Sequence, residues 1–197
     1  TPLVIAIVRS EKPRTSSSAF RLGLLTGIVY FAGTLYWLVE TMTTFGGLAI
    51  PVAVLAAGLL VAYLSLFPAA FAVVIARLRT SLGVPAAVLA VAPVWVATEL
   101  GRQYVWDGFP WALLGYSQVT MLPIAQLASV TGVYGLSFLL ALTASAVASV
   151  IVVPRGRSRW VLAGLVAVLV GGVAVWGRAK AAAADQVVNG SPEWTVN

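Results

Sequence analysis

Between Leu48 and Ala76 the sequence runs without one charged residue. A helix needs about 20 predominantly apolar residues to cross the hydrocarbon of a bilayer, so a run of this length predicts a membrane span. The pattern recurs along the chain, and spans are predicted at about 20–39, 48–76, 86–105, 124–153 and 160–177. Composition points the same way: 60% of the residues are hydrophobic, 9% are charged, and the mean hydropathy is +0.98. A soluble domain carries about 25% charged residues. Too little polar surface remains to cover a water-soluble globule. The expected fold class is an all-α integral membrane protein, a polytopic helical bundle with about five complete transmembrane helices plus a partial N-terminal one.

The segments between the spans set the domain organisation. Residues 1–8 (TPLVIAIV) are too short to span and read as the end of a truncated transmembrane helix. A membrane domain is expected over 9–178. Pro13 and the serine run of the first linker are expected to break any helix there. Gly23 and Gly27 form a G-x-x-x-G pair that permits close helix approach. Pro68 is expected to kink the second span or start an extra turn, and Pro85 suits the first turn of the third. Residues 106–123 hold no run of spanning length and read as an interfacial loop or short interfacial helix. Residues 179–197 read as a polar tail and the start of a missing domain.

The net charge is +6. In a soluble protein that balance would raise nucleic-acid binding. Here the basic residues cluster between spans. Arg9, Lys12, Arg14, Arg21, Arg77, Arg79, Arg155, Arg157 and Arg159 fall on one side, against Arg102, Arg178 and Lys180 on the other. The positive-inside rule then places the basic loops 9–21, 77–79 and 155–159 in the cytoplasm, with loop 106–123 and the tail outside. No nucleic-acid partner is expected. The chain has no Cys and no His. That excludes thiolate nucleophiles, disulfides and the usual transition-metal ligands, and it removes the commonest general base. No catalytic residue, metal or cofactor is therefore assigned.

The stretch Trp95–Gln118 (WVATELGRQYVWDGFPWALLGYSQ) concentrates what polarity there is. It holds Glu99, Arg102 and Asp107, together with the aromatics Trp106, Phe109, Trp111 and Tyr116. An ionisable residue at the end of an apolar helix is a functional-site hypothesis, because charge near hydrocarbon is costly. Glu99 and Arg102 stand at i,i+3 and share a helix face with Trp95. They can form a mutual ion pair that lets two charges sit at the interface, or they can hold a polar lipid headgroup, since a guanidinium grips phosphate through two parallel hydrogen bonds. The aromatics read either as an interfacial belt or as a docking surface for acyl chains or a soluble domain, with Gly108 and Gly115 permitting close backbone approach. Glu99, Arg102, Phe109, Trp111, Tyr116 and Gln118 are the residues expected to contact lipid or a neighbouring domain.

These residues also carry a family resemblance. Trp95-x-x-x-Glu99-x-x-Arg102, Gly108-Phe109-Pro110-Trp111, Leu114-Gly115-Tyr116-Ser117-Gln118, Gln126-Leu127-Ala128-Ser129 and Gly132-Val133-Tyr134-Gly135-Leu136-Ser137-Phe138-Leu139 resemble the apolipoprotein N-acyltransferases. Gly27 to Trp37, Phe45-Gly46-Gly47 and Ala62 to Pro68 fit as well. The resemblance implies a bacterial inner-membrane enzyme that moves an acyl chain from a phospholipid to the N-terminal diacylglyceryl-cysteine of a lipoprotein. It implies a ping-pong reaction through a thioester on the Cys of a Glu-Lys-Cys triad. That triad belongs to an outer nitrilase-like domain between the last two transmembrane helices. None of the triad can be placed on this sequence, so the catalytic domain is expected in cis or in trans, and the chain alone is expected to be inactive. The implied role is to anchor that domain and shape lipid access. The alternative is a non-catalytic platform for a partner such as a polyprenyl-phosphate mannosyltransferase. A small transporter would want polar residues at mid-span on several helices, and the second, fourth and fifth spans offer almost none.

Overall fold

The computed structural model describes residues 2–9, 15–105, 108–152 and 157–189. Among these residues five helices are long and apolar enough to cross a membrane, and no strand occurs. The chain is an all-α polytopic membrane bundle. A short helix, α1 (Pro2–Val8), precedes them and buries Val4, Ile7 and Val8 in the core against Phe71, Ile75 and Val88.

The first spanning helix, α2 (Ser16–Leu35), starts inside the serine run. Thr15 is extended, and its Oγ1 accepts the backbone N–H of Ser18 at 3.3 Å. The serine run therefore starts a helix instead of breaking one, because hydroxyl side chains satisfy the unpaired donors of a helix N-terminus. Pro13 lies outside the described residues. After a break at Tyr36 the chain continues as α3 (Trp37–Thr44).

The second spanning helix, α4 (Ile50–Leu82), passes through Pro68 and carries Arg77 and Arg79 in its last turns. Those arginines belong to a helix and not to a loop. Long basic side chains can leave their stems in apolar surroundings while the head finds polar partners: the Arg79 guanidinium donates to the Ile7 carbonyl at 3.2 Å. Gly83 alone separates α4 from α5 (Val84–Tyr104), at φ +85°, a conformation open to glycine and few others. Pro85 falls in the first turn of α5.

Glycine also explains how α2 meets α4. A Cβ at Gly23 would stand 2.5 Å from the Pro68 carbonyl and 2.7 Å from Ala69 Cα, and one at Gly27 would stand 2.7 Å from Ser65 Cα. The two backbones are therefore in direct contact, which small residues four apart allow.

Beyond α5 the chain reaches a 3-10 turn over Leu114–Gln118 and a single turn, α6 (Leu122–Ala125). Next come α7 (Ala128–Val152) and α8 (Arg157–Asn189). α7 is bent at Gly132 (φ +67°), so its regular spanning part starts beyond that residue. α8 continues past Arg178 through the alanine run, whose residues have the highest helix propensity, to Asn189. Of the tail, 190–197 lie outside the described residues.

Candidate functional site

The last three turns of α5 point Trp95, Glu99 and Arg102 at the following loop. Glu99 is 3% exposed and Arg102 is 4% exposed. Both charged residues are thus enclosed by protein. One carboxylate oxygen of Glu99 accepts two hydrogen bonds, from the Trp95 indole Nε1–H at 3.0 Å and from the backbone N–H of Leu114 at 2.8 Å. Arg102 donates from Nη2 to the Ala112 carbonyl at 3.4 Å, and its Cζ lies 5.2 Å from the centre of the Phe31 ring. The Tyr30 hydroxyl donates to the same Ala112 carbonyl at 3.2 Å.

The expected ion pair is not what the hydrogen bonds make. Glu99 holds the loop by its N–H at Leu114, and Arg102 holds it by its carbonyl at Ala112. The second carboxylate oxygen of Glu99 and the Nε of Arg102 are buried without a hydrogen-bond partner. Charge-assisted hydrogen bonds to backbone are about twice as strong as neutral ones, and here they form two jaws of a clasp.

The loop is shaped to fit that clasp. The Phe109 N–H donates to the Arg102 carbonyl at 3.0 Å, turning the chain back at the end of α5. Gly108 makes the turn at φ +72°, and a Cβ there would collide with the Gln103 carbonyl. Ala112 adopts φ +54°, the one non-glycine residue with positive φ among those described. That conformation costs an L-residue on the order of 1–2 kcal/mol. It persists because Tyr30 and Arg102 both grip its carbonyl, and such residues cluster at functional sites. At the far end of the loop the Gly115 N–H donates to Ser137 Oγ of α7 at 2.9 Å. A Cβ on Gly115 would stand 2.6 Å from the Val133 carbonyl, so glycine is required there by close approach. Tyr63 of α4 donates to the Val105 carbonyl at 3.2 Å, and Tyr134 of α7 donates to the Gln103 side chain.

What the clasp presents is aromatic. Trp111 is 51% exposed and stacks on Trp37 of α3, with ring centres 5.8 Å apart and planes inclined by 22°. Phe109 packs on Trp111 with centres 5.5 Å apart, and its other contacts join the buried Phe31, Leu35 and Leu64. Tyr116 is also half exposed, with its hydroxyl 3.4 Å from the Pro110 carbonyl. The structure thus brings together Glu99, Arg102, Phe109, Trp111 and Tyr116 around one loop. Gln118 stands apart at the end of the 3-10 turn, donating to Ser117. Trp106 and Asp107 lie outside the described residues. Behind the loop a cavity of about 170 Å³ is lined by Tyr30, Phe31, Phe67, Trp95, Glu99 and Arg102, among others.

Sequence reasoning missed Tyr30, Phe31, Tyr63 and Ser137 as parts of this site. All four lie in stretches that carry the family resemblance, Gly27 to Trp37, Ala62 to Pro68 and Gly132 to Leu139, but a motif by itself names no partner. The arrangement offers no nucleophile backed by a base, and among the described residues no group of His, Cys, Asp and Glu could hold a metal. It can hold a rigid aromatic rim beside an apolar cavity.

Residues 1–146 match the family described as apolipoprotein N-acyltransferase N-terminal domain. The apolipoprotein N-acyltransferase of Geobacter metallireducens is 45% identical over 141 residues, which cover 72% of this chain and 26% of the relative. That of Nitrosomonas europaea is 39% identical over 137 residues, covering 68% of this chain and 27% of the relative. That of Methylococcus capsulatus is 35% identical over 178 residues, covering 86% of this chain and 34% of the relative. The chain spans about a quarter to a third of the length of these curated relatives.

Proposed function

The chain belongs to the apolipoprotein N-acyltransferase family through its N-terminal domain, and we propose that it is the membrane-embedded part of such an enzyme. In this reading the acyl donor is a phospholipid and the acceptor is the N-terminal diacylglyceryl-cysteine of a lipoprotein. The chain anchors the catalytic domain and shapes the path of lipid to it. In this reading the basic ends of the helices lie in the cytoplasm and the loop carrying Trp111 lies outside, an orientation that the charge asymmetry of the sequence supports.

The observation that carries the reading is the exposed pair Trp111 and Trp37, fixed by the buried clasp of Glu99 and Arg102. Amphipathic rings at the headgroup level suit both lipid and a seated domain. A platform held by buried charges keeps its geometry when the membrane moves. Glu99 and Arg102 act behind the platform, while Phe109, Trp111, Tyr116 and Gln118 offer its contacts.

Trp111→Ala, made in a full-length relative that contains the same motif, tests the proposal. Removing the ring opens the stack on Trp37 and deletes the centre of the rim. Acyl transfer is expected to fall about tenfold or more at normal expression, the order of effect of losing one well-packed aromatic contact of 1–2 kcal/mol. Wild-type transfer would sink the lipid-path reading. A second expectation concerns the chain itself. With no Cys in its sequence it has no thiol on which to build a thioester, so a fluorescent phospholipid incubated with the purified chain and an acceptor lipopeptide should yield no acylated product. Any product would place the nucleophile within these residues.

A further inference from the structure

The last helix, α8, carries a different feature. α8 packs chiefly against α6 and α7. Only 11% of its spanning window is buried inside the protein, against 28–44% for the other four spans. The rest of that window is exposed or half-buried among the described residues. On this face α7 and α8 part to form a groove of about 640 Å³, lined by Leu127, Val130, Leu169, Gly172, Val173 and Trp176, among others. A Cβ at Gly172 would meet nothing within 4 Å, so the groove stays open at that point of α8.

One helical turn beyond Trp176 stands Lys180, about 6 Å further along the axis. Its ammonium donates to Ser129 Oγ and lies 5.1 Å from the centre of the Trp176 ring. Ser129 in turn donates to the Gln126 carbonyl at 2.7 Å. The lysine is thus drawn to the groove mouth by a hydroxyl and by an aromatic face, an attraction worth about 0.5–1 kcal/mol at exposed sites. An ammonium has three N–H donors, and the Ser129 bond takes one.

An apolar trough ending one turn below a fixed cation matches one kind of molecule: a glycerophospholipid, with a chain against Val130 and Gly172 and its phosphate on the ammonium. We propose that the α7–α8 groove is a resident phospholipid site, separate from the Trp111 platform and independent of the acyl-transfer reading. It wedges the least buried helix against the bundle. The phosphate supplies the charge complement of Lys180, which a neutral lipid or an apolar helix of another chain does not.

The test uses the purified 197-residue chain in mild detergent and native mass spectrometry, with phosphatidylglycerol and with diacylglycerol of the same chains as probes. Phosphatidylglycerol is expected to bind about tenfold more tightly than diacylglycerol, the order of one charge-assisted contact. Lys180→Gln should erase that difference, and Gly172→Leu should weaken both lipids. Both substituted residues are exposed, and unchanged circular dichroism and gel-filtration profiles verify that the variants fold. Equal binding of the two lipids by the unaltered chain, or phosphatidylglycerol binding untouched by Lys180→Gln, overturns the proposal. So does efficient disulfide pairing of two chains carrying Gly172→Cys in membranes, because it would put a second copy in the groove. The chain has no other cysteine, which makes that result unambiguous.

Discussion

Glu99→Ala, in a full-length relative carrying the same motif, is expected to cost on the order of a hundredfold in acyl transfer while the protein still inserts in the membrane. The Glu99 carboxylate is the shared acceptor of the Trp95 indole and of the Leu114 backbone N–H. Alanine leaves both part-buried donors unpaired, at up to about 1–3 kcal/mol each. It also removes the negative charge nearest on α5 to the buried Arg102 guanidinium. These penalties overlap, since all three groups share one site. Even the smaller part of them is of the order of the strain stored in the positive φ of Ala112. The loop should therefore leave α5, and the Trp111 ring should leave Trp37. Glu99→Gln separates this account from a need for the charge itself. The amide keeps an acceptor oxygen for Leu114, so the glutamine variant should retain transfer within about tenfold of the parent, roughly 1.4 kcal/mol. Two measurements at matched expression decide the matter: the transfer rate, and protease cleavage between residues 108 and 113. Cleavage should rise in the alanine variant and not in the glutamine variant. An alanine variant with parental activity and a protected loop would refute the clasp.

The parts of this fold that were legible in sequence are those set by the bilayer. Hydrocarbon thickness demands about 20 apolar residues, so the spans announce themselves by length, and the class of fold follows. Where helices begin and end was less legible, because charge and polarity do not stop a helix when a partner is at hand. α4 runs on through Arg77 and Arg79 to Leu82, with Arg79 satisfied by the Ile7 carbonyl far along the chain. The serines at 16–18 look like a linker and serve as the first turn of α2, with Thr15 as cap. The candidate site was legible by its unusual residues and not by its bonds. Glu99 and Arg102 stand out in a chain that is 9% charged. Yet their partners are backbone groups at Leu114 and Ala112, and a backbone amide has no signature in sequence. Tyr30 reaches Ala112 from 82 residues away. The Trp37–Trp111 stack joins two segments that no local pattern relates. Pairing across the bundle depends on how α2 lies on α4, and only the assembled core sets that.

That dependence makes Gly23→Leu the substitution with the largest expected effect on the fold. The Cβ it adds would meet the Pro68 carbonyl at 2.5 Å and Ala69 Cα at 2.7 Å. Both are backbone atoms inside α4, so no side chain can swing aside to make room. Overpacking of this kind costs about 1–3 kcal/mol and more when backbone must move, and Leu brings three further carbons into the same space. α2 has to slide or tilt away from α4. α2 also carries Tyr30 and Phe31, the hydroxyl on the Ala112 carbonyl and the ring under Arg102. Stability and site geometry should therefore fail together, although Gly23 lies nearly two helical turns from Tyr30. Thermal unfolding in detergent should show a Tm lower by about 5–10 °C, using roughly 2–4 °C per kcal/mol for a chain of this size. Gly33→Leu provides the comparison on the same helix. A Cβ there meets nothing within 4 Å, so the same change in size and propensity should leave Tm near that of the parent. Equal losses at both positions would mean that glycine matters to α2 for reasons other than its contact with α4. Loss at Gly23 alone would show that the approach of two backbones, set by one missing side chain, is what brings Tyr30 and Phe31 to Arg102.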